Sequence, residues 1–207
     1  MGMCKQICIL TGMAGVDGTS GAQFESGGRG ARERILAAAR TLFYRDGIHA
    51  TGVDRIAQHA HVSKRTLFQH FPSKDVLVQA YLADLDANRA IPLERALSAP
   101  RRTPRNRLLA IFDGGADGRV RGCPFHNAAV EAADGMPEVH DIVHAHKLAF
   151  IDELVRTCAD AGVSDPRAVG HQLAVLFEGA LALSTTLNDG APMRYARSAA
   201  AVLIDGR

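Results

Sequence analysis

A chain of 207 residues is long enough for one or two domains with cores of their own. Its hydrophobic share of 47% and mean hydropathy of −0.02 fit an ordinary globular protein, and no uncharged apolar run reaches membrane-spanning length. The net charge of +2 is unevenly spread. Between residues 29 and 75 nine Lys and Arg stand against four Asp and Glu, so a polyanionic partner is expected for that segment alone.

Gly and Ser dominate residues 12–28, so 1–28 read as a flexible tail. The apolar run after Lys5 is too short for a signal peptide, Gln6 does not suit myristoylation, and Met3 or Met13 are alternative starts. The four cysteines, Cys4, Cys8, Cys123 and Cys158, have neither disulfide-scaffold density nor zinc-site spacing, which fits a reducing cytoplasm.

Ile35, Leu36, Ala39, Leu42 and Phe43 recur at helical spacing and predict a helix from Ala31 to Gly47, where glycine relieves a left-handed cap. Thr51 is expected to cap a short helix from Val53 to Ala60, with Asp54 completing a capping-box variant. His61 and Val62 form a turn, Ser63 caps a helix from Lys64 to His70, and Phe71-Pro72 stops it. Ser73 caps a longer helix to about Leu97. After a break at Pro100–Pro104, further helices are expected at 105–116, from Pro124 to about Ala133, from Pro137 to Ala161, from Pro166 to Leu187 and from Pro192 to Asp205. The polar loop between the first two carries Gly114, Gly115, Gly118 and Gly122. Strand-type alternation is hard to find, and about nine helices make the fold class all-α.

Three short helices with a tight turn between the second and third make a helix-turn-helix. This accounts for the stretch VSKRTLFQHFPSKD. Leu67, Phe68 and Phe71 lock the third helix onto its predecessors. Lys64, Arg65, Thr66 and Gln69 carry the donors and acceptors a major groove needs. His70 and Lys74 lie beyond the reading positions and suit phosphates, as do the free N–H groups after Ser63 and Ser73. Arg55 is a further phosphate candidate. The plain alternative is a packed triplet whose charges only face water.

The stretch TGVDRIAQHAHVSKRTLFQHFPSKDVL, residues 51–77, resembles the DNA-binding segment of TetR-type transcriptional regulators, and ERILAAARTLFYRDG, 33–47, resembles that family's first helix. RGCPFHNAAVEA and AVLFEGALALS resemble ligand-binding and dimer regions of some members more loosely. The resemblance implies a homodimeric repressor, less often an activator, with the Lys64–His70 helix in the major groove of a palindromic double-stranded operator. It implies a DNA-binding domain at 29–76 and a ligand-binding and dimerisation domain at 77–207, with the pocket between the helices after residue 74. Phe112, Cys123, Phe125, His126, Asn127, His146, Phe150 and Phe177 are its candidate lining. This chain departs from the family pattern in having His61 where Gly is usual, Arg65 where Gly or Ala is frequent, and Phe68 in place of a phosphate-contacting Tyr.

The helix at 166–187 is apolar on several sides and must be covered. A two-fold partner would do so, through Leu173, Leu176, Ala180 and Leu183, with Tyr195, Ala199 and Val202 of the last helix. Cys123 follows Arg121 and opens a helix, two features that favour a reactive thiol; a small buried residue is the plain alternative. His140 and His144, at i, i+4, raise the remote alternative of a metal hydrolase, but no general base, nucleophile elbow or phosphate loop accompanies them. Neither cofactor nor metal is expected, nor a membrane partner. A DNA-binding regulator released by a small molecule is the function read from these residues, with a constitutive, effector-free regulator as the alternative.

Overall fold

A computed structural model describes residues 30–88, 91–114, 121–132 and 135–206. The expected tail at 1–28 and the loop glycines Gly115 and Gly118 lie outside them. The described residues form ten α-helices and one 3-10 turn, and contain no strand. They are α1 (Ala31–Asp46), α2 (Val53–His59), α3 (Lys64–His70), α4 (Lys74–Ala87), α5 (Pro92–Arg95), α6 (Pro104–Ala110), α7 (Pro124–Glu131), α8 (Pro137–Asp160), α9 (Pro166–Leu187) and α10 (Ala191–Asp205). The 3-10 turn, Ala96–Ser98, continues α5.

The helix expected from Ser73 to Leu97 ends ten residues early. Its apolar positions Leu77, Val78, Tyr81, Leu82 and Leu85 are buried on one face, but that face runs out at Ala87 and Pro92 restarts a separate turn. The helix expected at 105–116 is likewise shorter, because Ile111 is already its C-cap. α8, α9 and α10 keep close to their expected ends. Asn188, at φ 50°, closes α9 in the left-handed region.

Two compact units share the chain. One contains α1–α4 together with Pro124–Val143, which spans α7 and the first turns of α8. The expected boundary at residue 76 falls inside α4. In this unit α1 packs against α2, α3 and α4, and Phe43 meets Tyr81 edge-on with ring centroids 5.5 Å apart. Ile35, Leu42, Ile56, Leu67, Phe71 and Leu82 are all buried. At about 1.5–3 kcal/mol for each large apolar side chain removed from water, burial of this kind is what holds such short helices in place.

The other unit contains Asn88–Cys123 and His144–Arg207. Its core joins Leu97, Leu108, Phe112, Phe150, Leu154, Leu173, Phe177 and Ile204. α9 lies against α10 and approaches α8 closely at Gly170, where an added Cβ would stand 2.6 Å from Val155 Cγ2 and 3.0 Å from the Val155 backbone. Arg105 clamps Asp205 with two 2.7 Å bonds, tying α6 to the end of α10.

Candidate nucleic-acid interface

α2, the turn and α3 are held by backbone bonds and one side-chain cap. The Val62 N–H donates to the Ala57 carbonyl at 3.0 Å and the His61 N–H to Gln58 at 3.1 Å. The turn needs a left-handed residue, and His61 supplies it at φ 52°, a conformation that costs an L-residue about 1–2 kcal/mol. Ser63 Oγ then accepts the Thr66 N–H at 3.0 Å, the expected N-cap of α3, worth about 1 kcal/mol.

The expected cap of α2 is not formed. Gly52 stands at that N-cap with no side-chain bond, and Asp54 instead pairs with Lys64. Thr51 is fully buried and donates its hydroxyl back to the Gly47 carbonyl at 2.7 Å, closing the loop between α1 and α2. Gly47 itself is not left-handed helical. At φ 97°, ψ 158° it occupies a region that glycine alone adopts readily.

α3 is anchored by Thr66 and Leu67 and by Phe71 just beyond it, all buried, with the Arg32 guanidinium 5.2 Å from the Phe71 ring centre. Its outer face presents Lys64, Arg65, Phe68, Gln69 and His70. Two expectations change here. Thr66 does not face a groove: it is 5% exposed and its hydroxyl lies 2.8 Å from Ser63 Oγ, so both hydroxyls serve the cap. Phe68 does not pack inward: it is 39% exposed, because the i, i+4 pair Leu67 and Phe71 already fills the inner face. An outward ring on such a helix suits a thymine methyl group.

Three of the cations around this face are held by acids. Lys64 Nζ is 2.9 Å from Asp54 Oδ1, and Arg55 and Arg45 share Asp46, each at 2.9 Å. Arg65 is exposed on the outer face. Lys74 is half-buried and donates to the His49 carbonyl at 3.4 Å. Burial pulls its ammonium below the usual lysine value, only partly offset by Glu131 and Asp75. Ser73 Oγ accepts the Val76 N–H at 3.1 Å, capping α4 as expected.

Sequence reasoning missed Glu131 as a partner of this region. Its carboxylate accepts the His49 N–H at 2.8 Å, and its carbonyl meets the His49 ring. No local pattern links residues 82 positions apart.

Of the candidate pocket residues, Phe112, Cys123, His146, Phe150 and Phe177 fall in the unit containing α9, whereas Phe125, His126 and Asn127 lie on α7 in the other unit. Phe177 meets Phe150 at 5.3 Å and Phe112 at 6.0 Å between ring centres, all three buried. Phe125 is buried, Asn127 half-buried and His126 exposed. His146 Nε2 lies 3.2 Å from Glu94 Oε2. Cys123 is buried beside Lys147, and Cys158 lies in the apolar core, its thiol pushed up to about 11 by burial.

Of the residues expected at a dimer interface, Leu183, Tyr195, Ala199 and Val202 are exposed and Leu176 is half-buried. Leu173 and Ala180 instead belong to the core, since they share the buried face of α9 with Phe177. Val175, one of the residues that make this helix apolar on several sides, is 74% exposed. With Leu176, Ala199, Val202 and Leu203 it lines an apolar groove. His140 and His144 are exposed, and the described residues contain no group of three His, Cys, Asp or Glu placed to hold a metal.

A family model described as "Bacterial regulatory proteins, tetR family" matches residues 35–81, and one described as "Tetracyclin repressor-like, C-terminal domain" matches residues 104–200. Among solved structures, a TetR-family transcriptional regulator from Streptomyces coelicolor is 31% identical with a TM-score of 0.75, over 85% of this chain and 95% of that one. A putative regulator from Streptomyces avermitilis is 30% identical with a TM-score of 0.67, over 82% of this chain and 97% of that one. An uncharacterised HTH-type transcriptional regulator of Bacillus subtilis is 40% identical over 67 residues, 32% of this chain. The match spans about a third of that relative's length, 35%, and 30% of the Escherichia coli regulator UidR, which is also 40% identical.

Proposed function

The chain belongs to the TetR family of bacterial DNA-binding transcriptional regulators, and from that premise we propose that it is a homodimeric repressor released from a palindromic operator by a small-molecule ligand. Each subunit places α3 in a major groove, with Arg65 and Gln69 reading base edges, Phe68 resting on thymine methyls, and Lys64, His70 and Arg55 holding phosphates. Lys74 adds a phosphate contact from the start of α4. The protein acts in the cytoplasm, where its operator is. No described helix is long and apolar enough to cross a membrane.

The observation that carries this reading is the outer face of α3. Charged, amide, imidazole and aromatic side chains are all exposed there on a helix whose inner face is fully spent on packing. Dimerisation is supported by α9 and α10, which leave Val175, Leu183, Leu187, Tyr195 and Val202 more than half exposed. Single exposed apolar residues are ordinary, but five on two adjacent helices, with Val175 and Val202 lining one apolar groove, suit cover by a two-fold copy. The ligand site belongs to the C-terminal domain, around Phe112, Phe150 and Phe177 with His146 as a polar neighbour on α8. Ligand release requires that the ligand bind better to the state whose reading helices no longer match the half-site spacing.

Selection of genomic fragments with the purified protein, followed by mobility shifts over a salt series, tests this. One enriched palindrome, bound by two subunits in sedimentation, is expected. Binding by monomers, or binding without sequence preference, overturns it. A reporter driven by the selected site distinguishes repression from activation, and an affinity that no compound changes identifies a constitutive regulator.

A further inference from the structure

The two described cysteines lie in the same unit but in opposite surroundings. Cys158 is fully buried among apolar side chains of the core. Cys123, 4% exposed, accepts a hydrogen bond from Lys147 Nζ at 3.3 Å. The same ammonium is 2.5 Å from Glu178 Oε1. Thus α8 and α9 bring a cation and a carboxylate to the residue just before α7. Burial alone pushes the Lys147 ammonium down, but negative charge at Cys123, Glu178 and Glu94 outweighs it and holds it above the ordinary lysine value. His146 Nε2 lies 3.2 Å from Glu94 Oε2, and the half-buried Arg121 stands two residues before Cys123 in the chain.

An ammonium in hydrogen-bond contact favours thiolate over thiol, and the thiolate is the nucleophile. Glu178 competes with the sulfur for that ammonium and so acts as a brake. With so little of Cys123 exposed, only a small reagent can reach it. We propose that Cys123 is a hydroperoxide-reactive thiol, activated by Lys147 and restrained by Glu178. The thiolate sulfur attacks one peroxide oxygen, forming an S–O bond as the O–O bond breaks. Sulfur is oxidised by two electrons to the sulfenic acid, and the peroxide is reduced. The departing hydroxide takes a proton from the Lys147 ammonium and leaves as water; Lys147 regains a proton from solvent. A cellular thiol reverses the oxidation.

The test treats the full-length protein with hydrogen peroxide, traps sulfenic acid with dimedone, and maps each cysteine by peptide mass spectrometry. Cys123 should label at least about tenfold faster than Cys158. Lys147→Met should slow Cys123 by about tenfold, and Glu178→Gln should speed it several-fold, with Cys158 unchanged in both. Opposite signs at two partners of one ammonium are not what general loosening of the fold produces. Equal labelling of the two cysteines, or both substitutions acting in the same direction, overturns the proposal. Should Lys147→Met fail to fold, the wild-type pH profile decides: Cys123 labelling that persists at pH 6.5 supports it, and labelling that falls in step with a free thiol refutes it. The readout is sulfur chemistry, so it stands or falls independently of operator binding.

Discussion

The proposed phosphate contact of Lys64 requires it to give up Asp54, and the strength of that grip would set a measurable tax on binding. The two side chains are 2.9 Å apart and 53% and 74% exposed. At that distance in the dielectric of water two unit charges attract by about 1.4 kcal/mol. Side-chain ordering and salt reduce an exposed pair to about 0.2–1 kcal/mol. Asp54→Asn should therefore tighten DNA binding by about 1.4- to 5-fold per subunit at low salt, with the gain shrinking as salt rises. The same change removes the acid from the first turn of α2 and should lower stability by about 0.3–1 kcal/mol, visible as a lower urea midpoint. Mobility shifts with the wild type, Asp54→Asn, Lys64→Ala and the double variant close a cycle. In the Lys64→Ala background most of the Asp54→Asn gain should vanish. Weaker binding by Asp54→Asn at low salt, or an equal gain with and without Lys64, would refute the idea that Asp54 withholds that cation.

Arg65→Ala should relax base preference in a selection experiment, whereas Lys74→Ala should weaken all sequences alike and flatten the salt slope by about one unit per subunit. His61→Gly should cost no contact, since His61 is exposed, and should raise the urea midpoint: relief of about 1–2 kcal/mol of left-handed strain exceeds the roughly 0.4–1 kcal/mol of added chain entropy. Val202→Glu, on the groove between α9 and α10, should turn dimers into monomers in sedimentation and abolish binding to a two-half-site operator. Cys158 keeps its proton up to about 11 when folded, against 9.0 when free, so the unfolded chain releases it first. Stability from this group is present below pH 9 and lost as pH rises toward 11, and Cys158→Ala should flatten that fall in alkaline denaturation curves.

Most of the helix-turn-helix was legible because its determinants are local. The Ser63 cap, the His61 turn and the stop at Phe71-Pro72 each depend on residues within four positions. The apolar periodicity of α1, and the prolines that open α8 and α9, likewise announced those helices. What was not legible required knowing which neighbour wins. Thr51 is a good capping residue, yet the Gly47 carbonyl takes its hydroxyl. Phe68 is as apolar as Leu67, but a seven-residue helix has only one inner face. α4 stops at Ala87 although nothing in its sequence before Pro92 breaks a helix. Lys147 carried no signal at all, because its meaning lies in Cys123 and Glu178 from distant segments.

The clasp between Glu131 and His49 bears on how this regulator can be cut and recombined. A chimaera carrying only residues 30–87 would inherit the reading helix intact. It would lose the carboxylate that receives the His49 N–H, leaving the α1–α2 loop fastened by Thr51 and by Lys74 on the His49 carbonyl. The smallest portable reading module is therefore discontinuous: a graft onto a foreign effector domain must bring Pro124–Val143 with it, or supply an acid of its own at that place.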